Sequence, residues 1–171
     1  MPGAGKDTIA QIIAKKFKLK QYSVGGFRRK MAEERGMTLA EFNKLGETQD
    51  FTDKQADAWQ KKIGETEDNF IIDGRTSFYF IPDSIKIFLA VSPEQGAARI
   101  LSAKRENEKV KDKKEAIKMW HQRMDSDTKR YKNLYNFNPF DKKYYDFYLD
   151  TSNLSIEEVF AKVYDFIKSK K

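Results

Sequence analysis

Short apolar runs alternate with amphipathic helical segments along this chain, and this alternation restricts the fold more than any other feature of the sequence. The runs Phe70 to Ile72, Ile85 to Leu89 and Phe147 to Leu149 are typical of buried strands, and Lys20 to Ser23 is a further short candidate. Strands separated by helices pair in parallel through right-handed crossovers. We therefore predict a three-layer α/β domain with a parallel sheet flanked by helices.

Several local signals mark where the helices begin. Thr38 and Glu41, like Ser155 and Glu158, have the spacing of a capping box, and the segment Ser92 to Gln95 has the N-cap serine and following proline of a helix start. Another helix is expected from about 27 to 34. The first helix has its apolar residues three and four apart on one face: Ile9, Ile12, Ile13 and Phe17.

The composition limits the class of protein. The chain has 171 residues, of which 39% are hydrophobic and 35% charged, as in one domain with a buried core. It has no cysteine, which excludes disulfides and thiolate metal sites, and no apolar run of the roughly 18 residues that a membrane span needs. The net charge of +7 permits nucleic-acid binding. Because acids are interspersed among the bases, we favour a solvated surface with cations gathered around small phosphorylated ligands.

A glycine-rich loop runs directly into the first helix as Gly3-Ala4-Gly5-Lys6-Asp7-Thr8. Glycines let successive backbone N–H groups point at one anion, the helix N-terminus adds positive potential, and a lysine reaches the outer phosphates of a nucleotide. The pattern predicts a phosphate-binding loop (P-loop). Asp7 stands where the general motif has a Ser or Thr for Mg²⁺, and Thr8 follows it. The motif's first glycine and the strand before it are absent, so we expect the first strand of the sheet to be missing from this chain.

The second candidate site is Asp73-Gly74-Arg75, which follows the predicted strand at Phe70 to Ile72. A carboxylate at the carboxyl end of a buried strand can hold Mg²⁺-bound water, and an arginine there can bind a phosphate through two hydrogen bonds. The alternative is an ordinary Asp-Gly turn with a surface arginine.

A third candidate lies on a predicted helix near residue 125. Arg123 and Arg130 are seven residues apart and share one face, with Asp127 four residues from Arg123. Two arginines on one helix suit the charge that develops on a phosphoryl group in transfer. The alternative is a solvated helix with salt bridges.

These motifs together resemble those of cytidylate kinases, especially the short archaeal-type members of the P-loop nucleoside monophosphate kinases, from Met1 nearly to the C-terminus. Pro2 to Thr8 resembles their phosphate loop, and Phe70 to Leu89 resembles the matching stretch of bacterial members. The remaining resemblance is carried by Ser23, Gly25, Phe27, Arg29, Arg35, Gly36, Met37, Thr38, Leu39, Phe42, Arg123, Ser126, Arg130 and Tyr131.

The resemblance implies a role for each matching residue. Gly3, Ala4, Gly5, Lys6, Asp7 and Thr8 would bind ATP, with Ser23 and Gly25 lining the monophosphate site and Thr8 and Asp73 near Mg²⁺. The catalytic residues would be Lys6, Arg29, Arg75, Arg123 and Arg130. In this register Arg29 holds the acceptor phosphate, and its neighbour Arg28, which stands where an aromatic is usual, is the alternative.

The resemblance also implies an organisation within one domain spanning residues 1–171, with a monophosphate-binding insertion at about 27–66 and a lid at about 103–131. Arg99 and Arg105 resemble lid arginines, and the loop at Asp150 to Ser152 is expected near the adenine. In the insertion, Asp57 is followed by Ala58 and Trp59 where relatives have arginines. The preferred base therefore stays open among CMP, dCMP, UMP and AMP.

The implied activity is ATP- and Mg²⁺-dependent phosphorylation of CMP or dCMP by a cytoplasmic monomer, with no nucleic-acid or membrane partner. One alternative is an adenylate kinase-like or other small-molecule P-loop kinase. Another is a nucleotide-binding protein without turnover, because a missing first strand would leave its neighbours' backbone groups unpaired.

Overall fold

The computed structural model describes residues 1–102 and 112–170, in which short strands alternate with helices. In chain order these elements are α1 (Lys6–Phe17), β1 (Lys20–Ser23), α2 (Val24–Glu33), α3 (Leu39–Leu45), α4 (Phe51–Thr66), β2 (Phe70–Asp73), α5 (Ser77–Phe80), β3 (Ile87–Ala90), α6 (Pro93–Ser102), α7 (Lys113–Tyr135), a 3₁₀ turn (Lys142–Tyr144), β4 (Phe147–Asp150) and α8 (Ile156–Ser169).

The predicted helix starts are confirmed by their hydrogen bonds. Thr38 accepts from the backbone of Glu41 and Ser155 from that of Glu158, and each glutamate bonds back to its capping residue. The helix predicted from 27 begins earlier, at Val24, because the Ser23 side chain accepts from the N–H of Gly26 and caps α2 there.

The strand predicted from Ile85 begins two residues later, at Ile87. Lys86 opens the pairing with the neighbouring segment, since its N–H donates to the carboxylate of Asp146 at 2.8 Å. Ile85 precedes that contact and is 44% exposed. It therefore belongs to the turn and contributes nothing to the strand.

The four strands of the described residues form two parallel pairs, whereas the sequence predicts one parallel sheet that lacks its first strand. In the first pair β1 runs beside β2, from Lys20 opposite Phe70 to Ser23 opposite Asp73. In the second pair β3 runs beside β4, so that Ala90 faces Asp150. Parallel pairing itself is confirmed, and the polar ends of β1 and β2 lie at the same edge.

One hydrophobic core covers both strand pairs. Its buried residues come from α1, β3 and α8 and the loops beside them, and partly buried residues of β2 and β4 pack against it, among them Ile71 and Leu149. Because the two strand pairs share this core, both pack against the helices α1 and α8.

The helices between β1 and β2 have a core of their own, built on Met31, Ala32 and Phe42. A third core joins α6 to α7 through Ala97 and Trp120. The Trp120 indole N–H donates to the carbonyl of Pro2 at 2.9 Å, which ties α7 to the glycine-rich loop. Among the helices that the structure describes, none is long and apolar enough to cross a lipid bilayer.

Candidate active site

Two adjoining cavities open around the start of α1. The larger, of about 360 Å³, lies over the glycine-rich loop, and the smaller lies over the start of α2. Four residues line both cavities: Lys6, Asp7, Arg75 and Arg123. Three of these four carry a positive charge, so the two cavities meet at a cationic junction.

The glycine-rich loop has the backbone that an anion-binding turn needs. Gly3 and Gly5 have φ angles of 73° and 80°, in the left-handed region that favours glycine. A Cβ on Gly3 would lie 2.3 Å from the carbonyl oxygen of Gly96, so the close approach of α6 also requires glycine there. The loop residues Pro2 to Thr8 line the larger cavity.

Lys6 is held between two carboxylates at the junction. Its Nζ lies 2.8 Å from Asp7 and 3.1 Å from Asp73, which ends β2. Burial raises the pKa of Asp73, the Lys6 ammonium opposes that rise, and the neighbouring Asp7 carboxyl adds to it. Lys6 of the glycine-rich loop and Asp73 at the end of β2 therefore meet at the junction, and Asp7 is a further acid beside them.

The residues at the junction fit a bound magnesium ion. Mg²⁺ in nucleotide sites takes one or two carboxylates and completes its shell with phosphate oxygens and water. Asp7 and Asp73 supply two carboxylates, and Thr8 is exposed beside the larger cavity. Within residues 1–102 and 112–170 no group of three or more His, Cys, Asp or Glu is placed to hold a metal ion by itself. Any ion here would depend on phosphate ligands.

The two adjacent arginines of α2 differ in their surroundings. Arg28 is 5% exposed, and its guanidinium donates to the Thr52 carbonyl at 2.9 Å, to Asp53 at 2.8 Å and twice to Asn43. Arg29 is partly exposed and lines the smaller cavity, where no carboxylate of the described residues pairs with it. Of the two, Arg29 keeps its donors for a ligand.

A chain of buried ion pairs forms one wall of the smaller cavity. Arg75 pairs with Asp127, Asp127 with Arg130 at 3.0 Å, Arg130 with Asp53 at 3.0 Å, and Asp53 with Arg28. Positive and negative charges alternate along this chain, which connects the end of β2 to α7, α4 and α2 in turn. We call these five residues the ion-pair chain.

The ion-pair chain holds its members in defined charge states. Burial by itself would raise the pKa of Asp127, but Arg75 and Arg130 lower it below its usual range. Arg130 is 2% exposed and is also bonded to the Tyr131 hydroxyl, so protein groups occupy its guanidinium. Arg75 is the end member, and its buried Nη2 has no hydrogen-bond partner among the described residues. Arg75 can therefore offer a donor to a ligand at the junction, whereas Arg130 orients its neighbours.

The larger cavity is closed on its far side by the loop after β4. Arg99 donates to the Thr151 carbonyl at 2.7 Å and to the Thr151 hydroxyl at 3.1 Å, and Thr151 is buried against the glycine-rich loop. Leu154, Ser155 and other residues of this loop line the cavity. Arg99 thus fixes the loop, and Arg105 lies outside the described residues.

The sequence does not predict the contacts that several residues of the site make. The sequence names Arg28 only as the alternative to Arg29 and does not predict that Asp53 is buried, yet the two residues pair with each other and are buried. Asn43 of α3 lines the smaller cavity without belonging to any motif. Only the packing of α2 against α3 and α4 brings these three together.

Comparison with known proteins identifies the family of this chain. Residues 1–153 match the cytidylate kinase-like family. The chain is 36% identical to a cytidylate kinase of Methanocaldococcus jannaschii, over 100% of this chain and 96% of that protein. It is 35% identical to one from Methanocorpusculum labreanum, over 95% of this chain and 89% of that protein.

Solved structures resemble the whole fold at lower sequence identity. An uncharacterised protein from Eubacterium ventriosum has a TM-score of 0.70 and 18% identity, covering 98% of this chain and 94% of that one. A shikimate kinase from Acinetobacter baumannii, solved with shikimate, has a TM-score of 0.61 and 14% identity, covering 99% and 90%. The mixed α/β fold with parallel strands is therefore shared with a small-molecule kinase.

Proposed function

The chain belongs to the cytidylate kinase-like family, and we propose that it transfers the γ-phosphoryl group of ATP to CMP or dCMP. One observation carries this proposal for the site. Two cavities meet at Lys6, Asp7, Arg75 and Arg123, as a reaction between two bound nucleotides requires. The transferred group would lie where the two cavities join.

On the donor side, the larger cavity would hold ATP. The loop from Gly3 to Thr8 directs its backbone N–H groups at the triphosphate, and Lys6 neutralises the outer phosphates. The loop that Arg99 fixes after β4 lies at the other side of this cavity and would face the adenine.

On the acceptor side, the smaller cavity would hold the monophosphate. Ser23 and Gly25 line it at the start of α2, and Arg29 would bind the acceptor phosphate because Arg28 is already bonded to protein groups. Arg75 and Arg123 line both cavities and would stabilise the charge that spreads over the phosphoryl oxygens. Arg130 would act by holding Asp127, which in turn pairs with Arg75.

Asp7, Asp73 and Thr8 are the residues that would hold Mg²⁺ together with the phosphates. When bound, Mg²⁺ supplies neutralisation of the charge on the β- and γ-phosphates. No protein nucleophile is needed, since catalysis by these residues consists of positioning and charge neutralisation.

The first test compares Lys6→Ala with Lys15→Ala, an exposed lysine of the same helix. Formation of ADP from ATP is measured with CMP, dCMP, UMP and AMP as acceptors. We expect Lys6→Ala to lower the rate with CMP on the order of 10²- to 10³-fold, and Lys15→Ala to leave it unchanged. An unchanged rate in Lys6→Ala contradicts the assigned site, and a preference for AMP supports an adenylate kinase-like activity instead.

A nucleotide-binding protein without turnover is the remaining alternative. It predicts that ATP raises the melting temperature while no acceptor in the panel is phosphorylated. We further propose that the protein acts as a cytoplasmic monomer on free nucleotides, in agreement with the interspersed charges of its sequence.

We also infer that β1–β2 and β3–β4 are two parts of one P-loop sheet, with a strand position between β2 and β3. Residues 1–6 extend from β3, where the Met1 amine donates to the Leu89 carbonyl at 3.1 Å, to Asp73 at the end of β2. All four residues of β2 are only partly buried, as expected for a strand without a neighbour on one side.

A further inference from the structure

The smaller cavity has a part that lies outside the cationic junction. Leu39 and Asn43, one turn apart on α3, line the smaller cavity but not the larger one. They therefore lie on the acceptor side only, away from the four residues that the two cavities share. If the phosphate of the acceptor nucleotide lies at Arg29 and the junction, the base of that nucleotide is the part that would contact α3.

The side-chain amide of Asn43 is fixed by Arg28. Both Nε and Nη2 of Arg28 donate to Oδ1 of Asn43, at 3.2 and 3.1 Å. A guanidinium has donors only, so the amide must turn its oxygen toward Arg28. The opposite orientation would place the two N–H groups of the amide against the N–H groups of the arginine. The Nδ2 group is thereby directed away from Arg28.

The Arg28 guanidinium, which orients the Asn43 amide, is itself held in place by other protein groups. It is bonded to Asp53 and the Thr52 carbonyl, and its guanidinium lies 5.2 Å from the centre of the Phe42 ring. These contacts leave it no freedom to follow a ligand. Asn43 Nδ2, in contrast, donates to no protein group of residues 1–102 and 112–170. Asn43 lines the smaller cavity, so its two amide N–H donors are available to a ligand there, while its amide oxygen accepts from Arg28.

We propose that Asn43 is a specificity-determining residue that recognises the acceptor base through these two donors. The inference rests on the proposed function and identifies the edge of the acceptor base that Asn43 would bind. Cytosine presents neighbouring acceptors at O2 and N3, whereas uracil keeps the acceptor at O2 but carries a hydrogen on N3, which would meet a donor of Asn43 placed at that edge. When a donor of the protein faces a donor of the base, both N–H groups are left without an acceptor. Such a mismatch strongly disfavours the base that carries the extra hydrogen. CMP is therefore preferred to UMP at this position.

The test is Asn43→Asp, which has nearly the same shape. An aspartate keeps the oxygen that accepts from Arg28 and replaces the two donors by an acceptor. We expect kcat/KM for CMP to fall at least about tenfold, and the ratio of CMP to UMP to fall by at least the same factor, because the new acceptor suits the N3 hydrogen of uracil. Calorimetric titration of the protein with CMP and with UMP provides a second readout that does not depend on turnover.

Asn133→Asp is the matched control, because Asn133 is exposed on α7 and the change in charge is the same. Its CMP to UMP ratio should equal that of the unmodified protein. Asn43→Ala, which removes the donors without adding a charge, should lower the affinity for CMP and leave that for UMP within about threefold. This second variant decides the question if Asn43→Asp does not fold.

An unchanged CMP to UMP ratio in Asn43→Asp, in both kinetics and binding, overturns the role of Asn43 while leaving the kinase assignment in place. An unmodified protein that phosphorylates no acceptor in the panel overturns the proposed function and this inference with it. The two failures are therefore distinguishable.

Discussion

Asp57 is a buried carboxyl group that the proposed reaction does not use. It accepts hydrogen bonds from Tyr135 and Gln60, the latter at 2.8 Å, and links α4 to α7. Burial raises its pKa to about 6, the nearby charge of Asp53 adds to the rise, and the bonds from Tyr135 and Gln60 limit it. In the folded protein Asp57 therefore keeps its proton over a pH range in which the unfolded chain has released it.

This raised pKa makes the stability depend on pH in one direction. Between about pH 4 and pH 6 the unfolded chain loses the Asp57 proton while the folded protein keeps it, so the free energy of unfolding decreases as the pH rises. Raising the pKa of Asp57 from its ordinary value of 3.8 to about 6 corresponds to roughly 3 kcal/mol of unfolding free energy. Above pH 6 both states are ionised, and this group causes no further change.

We therefore predict that Asp57→Asn removes this dependence. The unfolding free energy of the variant relative to the unmodified protein should rise by up to about 3 kcal/mol between pH 4 and pH 7, as measured by urea unfolding at several pH values. The control is Asp68→Asn at an exposed position. Equal pH slopes for the Asp57 variant and the unmodified protein would contradict the prediction.

At the scale of the elements, α7 is the helix that joins the parts of the site. Its N-terminal half packs on α6 and, through Trp120, on the glycine-rich loop. Its second half supplies Asp127 and Arg130 to the ion-pair chain. One helix therefore contacts α6, the glycine-rich loop and the ion-pair chain.

Asp53 on α4 is the connection between the insertion and α7, since it pairs with both Arg28 and Arg130. We predict that Asp53→Asn destabilises the protein by about 3 kcal/mol, because two buried arginines lose their shared counter-charge. The exposed Asp50→Asn, at the start of the same helix, breaks only a surface pair with Lys54 and should cost below about 1 kcal/mol. Equal unfolding free energies for the two variants would show that the ion-pair chain does not hold these elements together.

At the scale of the whole molecule, the two strand pairs are joined by helices and by side chains at their ends. The core built by α1, β3 and α8 packs against both strand pairs. Lys6 of α1 also pairs with Asp73 at the end of β2. A strand between β2 and β3 would add hydrogen bonds to both pairs and cover the partly exposed β2.

We predict that adding a six-residue segment rich in Val and Ile before Met1 raises the melting temperature by several degrees. The N–H of residue 1 would keep its bond to the Leu89 carbonyl, so the added strand would enter between β2 and β3. A Gly-Ser segment of equal length is the control and should leave the melting temperature unchanged. The same melting temperature for both extended proteins would exclude a strand position there.

Local signals in the sequence were sufficient for much of the architecture. The capping boxes at Thr38 and Ser155 and the parallel pairing of the strands follow from residue types and spacing, because caps and strand periodicity depend on neighbours in the chain. The glycine-rich loop was predicted for the same reason. Family membership followed from motifs spread over most of the chain.

Residue types and their spacing thus predict most of the helices and strands, the family, and the residues that belong to a motif. The tertiary structure alone decided which charges are buried and which are available. Arg28 and Arg29 are adjacent and chemically identical, yet packing against Phe42 and Asp53 fixes the first and leaves the second in the cavity. The alternation of helices and strands predicted a parallel sheet that lacks its first strand. The tertiary structure shows which of the remaining strands pair, β1 with β2 and β3 with β4, because pairing depends on which strands lie side by side.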